Sequence, residues 1–462
     1  MKKSSLSLLC AVVLILAHLL PVYAGSETLR YRLNERHPGF QAFKEAHPDL
    51  TLVRDETEYL NSFQRLGALI TGTFTSDVFN MSSGMDDCQQ IFSKGYCTAL
   101  DQSEMLRSLI SRMHPMIVRQ VTWDNQLLAL PSSLVFSYYA INRNAWAEAG
   151  LSTEDIPQSF PQLLDFLSRW CDRAEAEMDP GIRVINSWDY ELYSPFSYIE
   201  RLTGLLIHNH MMQLEYAGEP VRFHTPEMLE LLAQIRDIGQ RLYDNEPPPQ
   251  DVESGGGKEL FASISPGDFG ENWPQHAEDM FYLPIKESQP RLIEAKLDMF
   301  AVNGRTKVPD LAIQLLESLS TAMPEHETVF LFQDAEPVLN PNNDRSRSIT
   351  QENIAKTEEK LKDGNLSSHE RQDLEAALAK YQAILSSLDT DEERYLMSSS
   401  QLADYKTMAD KLWFPKPGFF NEGEDHFRLR QLIDRFAAGQ LDGPGFLQEL
   451  DRIVITMEQE RM

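Results

Sequence analysis

The chain has 462 residues, 70 acidic against 42 basic side chains, a formal net charge of −28 and four cysteines. Such an acid excess disfavours nucleic acid and anionic membrane surfaces as partners. A single hydrophobic core stops growing near about 250–300 residues, so two lobes or more are expected.

At the N-terminus Lys2 and Lys3 precede an apolar run from Leu6 to Leu20, followed by Pro21 and the small-residue site Val22-Tyr23-Ala24 before Gly25. This is the pattern of a secretory signal peptide, residues 1–24, cleaved after Ala24. A spanning helix needs about 20 apolar residues, and this run is shorter and interrupted by His18 and Pro21. Cys10 lies inside the apolar region, so no lipid-modified cysteine is expected at the mature start. The expected product is soluble, and periplasmic or secreted. In an oxidising compartment Cys88 and Cys97, close in sequence, could form a disulfide, while Cys171 reads as a small buried hydrophobe.

Leu29–Leu33 reads as a strand, GFQAFKEAHPDL as a helix burying Phe40, Phe43 and Ala46, and Leu50–Val53 as a second strand. Together they predict a β-α-β unit with parallel strands. A helix over about 59–70 leads to TSDVFNMSSG, where Asp77, Val78 and Phe79 read as a buried strand ending at Met81–Gly84. Loops at the carboxyl ends of parallel strands are where open α/β sheets hold ligands, so Ser82, Ser83 and Gly84 are candidate contacts; a plain turn is the competing reading. Asp124 and Asn125 predict the turn of a hairpin. Its second arm runs through Pro131 into LVFSYYAI, and the helix QSFPQLLDFLSRWCDRAEAEM buries Phe160, Leu163, Leu164, Phe166, Leu167 and Trp170. RVINSWDYELYSPFSYIERLTGLLI pairs a strand with a helix, PEMLELLAQIRDIGQRL adds another helix, and NEPPPQDVESGGGKEL reads as an exposed loop. MFYLPI and AKLDMFAVN are strands, and Pro309 with Asp310 opens an amphipathic helix. From Glu352 to Leu412 a helical hairpin is expected, with Leu374, Leu378, Tyr381, Leu385 and Leu388 as its stripe and Ser367 with Glu370 as a capping box.

In this order TSDVFNMSSG, SKGYCTALD, LLALPSSLVFSYYAINRNAWAEAGL, IPQSFPQLLDFLSRW, MFYLPI and LDMFAVNGRTKVPDLAIQLLESLS resemble the extracytoplasmic solute-binding proteins of ABC importers, in particular the carbohydrate-type family 1 group. The resemblance runs from Leu29 to about Leu319, with a terminal LQELDRIV helix, and 352–412 departs from it. It implies an α/β fold of two lobes (type II) with an added C-terminal helical hairpin. The first lobe would take 25–134 and 295–338, the latter opening with the return crossing at 295–302. A hinge crossing would occupy 135–141, and the second lobe would take 142–294 and 339–462. Strand-like crossings would let the lobes close on a ligand.

A sugar presents hydroxyls and weakly apolar C–H faces, so its sites combine aromatic platforms with polar groups. Trp273 in GENWPQHAED and Trp188 are the preferred pair of ligand contacts, joined by Asp189, Tyr190, Ser82, Ser83, Gly84, Asn34 and Glu35; Trp123 with Asp124, and Tyr138 or Tyr139 at the crossing, are weaker ones. Packing is at least as good an account of any single aromatic here.

No catalytic pair stands out, and the chain carries no GxSxG, HExxH, Walker or dinucleotide motif. His208 and His210 sit two apart on a helix and face different directions, which argues against a metal site, and Gly255–Gly257 reads as a flexible loop. The expected function is a non-enzymatic, monomeric receptor that needs no cofactor. It would take a sugar or oligosaccharide as solute and an ABC permease as membrane partner. A secreted scaffold docking a protein through the 352–412 hairpin, and a glycan-degrading enzyme, are the alternatives.

Overall fold

The computed structural model describes residues 27–55, 62–85, 87–175, 182–185, 196–245, 258–264, 280–281, 283–340, 342–362, 366–390, 394–397, 399–415 and 424–461. The chain opens with β1 (Thr28–Arg32), α1 (Pro38–Ala46) and β2 (Thr51–Arg54), and the two strands pair in parallel with Thr28 opposite Thr51, the predicted unit. Pro38 pre-sets the first helical turn, and His37 caps it, Nδ1 accepting from the Gly39 amide at 3.1 Å. After α2 (Ser62–Thr71) comes β3 (Val78–Ser82), parallel to β1.

Three short helices follow, α3 (Cys88–Ser93), α4 (Glu104–Ser111) and α5 (Pro115–Gln120). β4 (Thr122–Trp123) and β5 (Gln126–Leu127) form the expected hairpin, with Asp124 and Asn125 at φ 50° and 61°, the left-handed pair that a two-residue turn requires. β6 (Ala129–Ile141) is the long crossing strand. Asn142 then caps α6 (Arg143–Glu148), its Oδ1 accepting from the Ala145 amide at 3.2 Å. In α7 (Phe160–Glu175), Phe166 stacks on Trp146 at 5.3 Å.

Next come β7 (Ile182–Ile185), α8 (Ser197–Ala217), α9 (Pro226–Asn245), β8 (Lys258–Ile264), β9 (Met280–Phe281), β10 (Ile293–Val302), α10 (Pro309–Ser320) and α11 (Glu325–Thr328). The chain ends with β11 (Val338–Leu339), α12 (Asn343–Leu361), α13 (Ser368–Ser387), β12 (Tyr395–Met397), α14 (Ser399–Met408), β13 (Leu412–Trp413), α15 (Glu424–Ala437) and α16 (Gly443–Arg461).

The main sheet runs β2-β1-β3-β10-β6-β8-β7, with β13 also on β10 and β9 also on β6. β10 is antiparallel to both β3 and β6. β6 serves two partners in succession, pairing with β10 over Ala129–Ser137 and with β8 over Tyr138–Ile141. The buried side chains separate into two clusters whose boundary falls inside this strand, Ala140 belonging to the first and Ile141 to the second. Leu29, Val78, Phe136, Leu297 and Leu316 typify the first cluster, and Trp146, Phe166, Leu202, Ile235 and Phe261 the second.

The C-terminal segment departs from expectation. The family resemblance gives residues 339–462 wholly to the second lobe, yet Leu402, Tyr405, Met408, Leu412 and Phe414 lie in the first core, and only Leu429 onward joins the second. β13 adds in parallel to the start of β10, and the fully buried Tyr405 donates its hydroxyl to the Phe330 carbonyl at 2.6 Å. The helical pair is α12 packed on α13, ending at Ser387 and not at 412. Ser367 and Glu370 form the predicted capping box.

Cys88 and Cys97 are free, buried thiols; burial pushes Cys88 up to about 12 and Cys97 upward as well, the opposite of an activated thiolate. Cys171 is fully buried. Among the described residues no helix is long and apolar enough to cross a membrane.

Candidate functional site

Burial alternates strictly along β10 up to Phe300: Ala295, Leu297 and Met299 enter the first core, while Glu294, Lys296, Asp298 and Phe300 occupy the other, half-buried face. β6 meets this strand with an irregularity. Ser133 pairs with Asp298 but Pro131 pairs with Met299, leaving Ser132 as an extra residue. Pro131 has no amide hydrogen to give the ladder, and a bulge is where a sheet tolerates that. The bulge brings both Ser132 and Ser133 to one cavity of about 280 Å³.

The remaining walls come from the carboxyl ends of β1 and β3 and from the helices behind them. Leu33, Asn34 and His37 follow β1, Asn80 to Ser82 end β3, Met85 follows, and Asp298, Phe300 and Leu319 complete the lining. Ser133 Oγ donates to Asp298 Oδ2 at 3.2 Å. His37 meets the Phe300 ring edge-on, centroids 6.4 Å apart. The loop after β3 is fixed from beneath: Arg65 donates to Asp87 through Nε at 2.5 Å and Nη2 at 2.6 Å, and through Nη1 to the Asn80 carbonyl at 3.2 Å.

Of the residues chosen from sequence, Asn34 and Ser82 line this cavity. Ser83 is buried and does not line it. Its amide donates to the Leu297 carbonyl at 2.8 Å and its Oγ accepts from the Leu297 amide at 2.9 Å, extending the β3–β10 ladder by one residue. Gly84 sits against the Lys296 stem, where an added Cβ would meet Cδ at 3.0 Å. Glu35 turns away, accepting from the Tyr31 hydroxyl at 3.0 Å with Arg54 at 4.0 Å. Burial and this carboxylate push the Tyr31 phenol up to about 12. Tyr138 pairs through its backbone with Ile264. Trp188, Asp189, Tyr190 and Trp273 lie outside the described residues.

Sequence reading missed His37, Asn80, Met85, Ser132, Ser133, Asp298 and Phe300. Two signals were available, the proline ahead of a serine pair in a crossing strand and the alternation of KLDMFAV.

His208 and His210 do diverge. His208 Nε2 lies 2.9 Å from Glu294 Oε2, tying α8 to the start of β10, whereas His210 Nε2 is 2.8 Å from the Arg222 carbonyl. Burial alone would raise the Glu294 carboxyl, but the His208 hydrogen bond and charge, with Lys296, hold it below the usual carboxylate range. The pair therefore links a helix of the second core to a strand of the first at the crossing itself.

No protein-family model matches the chain, and no curated protein matches it in sequence. Solved structures do match along its length. A chitin oligosaccharide binding protein superposes with a TM-score of 0.50 at 12% identity, covering 93% of this chain and 98% of that one. A periplasmic solute binding protein from Pectobacterium atrosepticum gives a TM-score of 0.50 at 14% identity, covering 93% and 99%. The fold is therefore the mixed α/β fold of the periplasmic solute-binding proteins.

Proposed function

We propose that the protein is the solute-binding receptor of an ABC importer, exported to the periplasm or secreted. It captures a carbohydrate between two lobes of the type II arrangement, closes by bending at β6 and β10, and hands the solute to a membrane permease. The order β2-β1-β3-β10-β6, with an antiparallel return strand inserted between β3 and β6, supports the type II reading. The first lobe in this reading takes 25–134, 295–338 and the 402–414 segment; the second takes 142–294 and the chain from Leu429, with the α12–α13 pair as an addition.

One observation carries the proposal. A cavity walled by the carboxyl ends of β1 and β3 abuts β10, a strand of the first core, and β6, the strand along which the two cores meet. Clefts at strand carboxyl ends are where open α/β sheets bind small molecules. Its chemistry fits a sugar, because Phe300 and Met85 offer apolar surface beside Asn34, Ser82, Ser132, Ser133 and Asp298. The chitin oligosaccharide binding protein that shares the fold supports the same solute class. Trp188 and Trp273 are the proposed aromatic contacts, with Asp189, Tyr190 and Tyr138 beside them.

Calorimetry with mono- and oligosaccharides tests this. One saturable ligand is expected, its affinity falling at least about tenfold, the equivalent of about 1.4 kcal/mol, in Phe300→Ala, and its heat vanishing in Trp273→Ala or Trp188→Ala. Absence of saturable binding across the panel would refute the receptor reading; retained heat in both tryptophan variants would remove only those two contacts.

A further inference from the structure

Among the described residues the charge inventory of the cavity is narrow. Its twelve lining residues include one carboxylate, Asp298, and no lysine or arginine. His37 is the only other titratable group among them, and its Nδ1 accepts from the Gly39 amide at 3.1 Å. An imidazolium carries a hydrogen on both nitrogens and cannot accept, so this capping bond is one that the neutral imidazole makes. The nearest cation on the same strand face is Lys296, two residues before Asp298. Its Nζ lies 4.0 Å from Glu294 Oε1, its stem passes over Gly84, and it does not line the cavity.

Asp298 is itself only partly engaged. Its side chain takes one hydrogen bond among the described residues, from Ser133 Oγ to Oδ2, and that bond is a weak 3.2 Å. Oδ1 is left to accept from whatever occupies the cavity. A half-buried carboxylate without a paired cation attracts a positive group and repels a negative one, more strongly than in bulk water because the surroundings are less polarisable.

Building on the receptor reading above, we propose that Asp298 sets the charge class of the solute: the site selects amine-bearing carbohydrates over neutral ones and rejects uronates and sugar phosphates. A hydroxyl donating to the carboxylate Oδ1 brings charge on the acceptor side alone, whereas an ammonium adds a full opposite charge and with it a direct Coulombic attraction. A carboxylate or phosphate has no proton to give there and would bring a second negative charge beside the first.

The test is a glycan array holding neutral, amine-bearing and uronate or phosphate glycans, probed with the full chain and followed by calorimetry on the best binders of each class. Amine-bearing glycans are expected to bind at least about tenfold more tightly than uronates of the same linkage, one decade being a modest Coulombic difference at contact. That ratio should collapse below about threefold in Asp298→Asn and persist in Asp298→Glu, which keeps the charge; raising the salt should shrink it in the wild type and in Asp298→Glu but not in Asp298→Asn. Uronates binding as well as amines, or a ratio unchanged in Asp298→Asn, would overturn the proposal while leaving the receptor intact. An array without any bound glycan would remove the receptor reading, and this inference with it.

Discussion

Arg65 and Asp87 are 5% and 1% exposed, and their fork-to-carboxylate pairing is the most deeply buried ion pair among the described residues. Arg65 also holds the Asn80 carbonyl, so the pair fixes the end of β3 and the loop carrying Ser82 and Met85 into the cavity. Removing one partner leaves an uncompensated charge in the interior, which costs about 3–5 kcal/mol, whereas removing both often costs little. Arg65→Met should therefore destabilise by about 3–5 kcal/mol in urea unfolding, and Arg65→Met with Asp87→Leu by much less. Equal losses in the two variants would show that the guanidinium matters for packing and not for charge. Neither residue drew notice in the sequence, because an arginine in a helix and an aspartate 22 positions later are ordinary until the fold brings them together.

Local signals were the legible ones. The Asp124-Asn125 turn and the Ser367-Glu370 box both act within four residues, and each stands where the sequence placed it. What escaped depends on partners far along the chain. Gly39 is the clearest case at the scale of elements: a Cβ there would lie 2.3 Å from the Ser318 carbonyl oxygen and 2.6 Å from Leu319 Cα, so α1 crosses α10 in backbone contact. Ser318 Oγ donates to the Gly39 carbonyl at 2.8 Å across a separation of 279 residues, which no pattern within GFQAFKEAHPDL can reveal. Since both obstacles are backbone atoms, neither can swing aside, and the helices must part. Gly39→Ala is expected to cost about 1–3 kcal/mol by overpacking, read as a lower denaturation midpoint with unchanged slope. His37 and Leu319 flank this crossing and line the cavity, so ligand affinity should fall in the same variant. A Gly39→Ala variant as stable as the wild type would mean that the helices separate without strain.

At the scale of the molecule, chain length predicted more than one core, but the sequence did not show that 402–414 packs into the same core as Leu29 and Val78. That packing depends on β13 finding β10 more than a hundred residues back, and on Tyr405 reaching the Phe330 carbonyl. Each core also encloses a histidine, His114 in the first and His210 in the second, and their titration links stability to pH. Burial holds both imidazoles below their ordinary range, against the pull of Asp410 on His114, and of the Arg222 hydrogen bond, Glu227 and Asp451 on His210; Lys406 and Lys286 push the same way as burial. Below about pH 6.5 the unfolded chain protonates these groups while the folded chain does not, so the unfolded state binds more protons and stability falls as pH falls. The depressed Glu294 adds a loss in the same direction only as pH drops below about 4.3, its unfolded value. Glu200 and Asp434, raised by burial, oppose it in the acidic range above about pH 4, since there the folded chain binds more protons. Between pH 7.5 and 5.5 the histidines dominate. The apparent Tm should fall over that interval, by about 1 °C for each kcal/mol lost in a chain of this length, and the slope should flatten in a His114→Gln, His210→Gln double variant. A Tm that stays level in the wild type, or an equal slope in the variant, would place the proton uptake elsewhere.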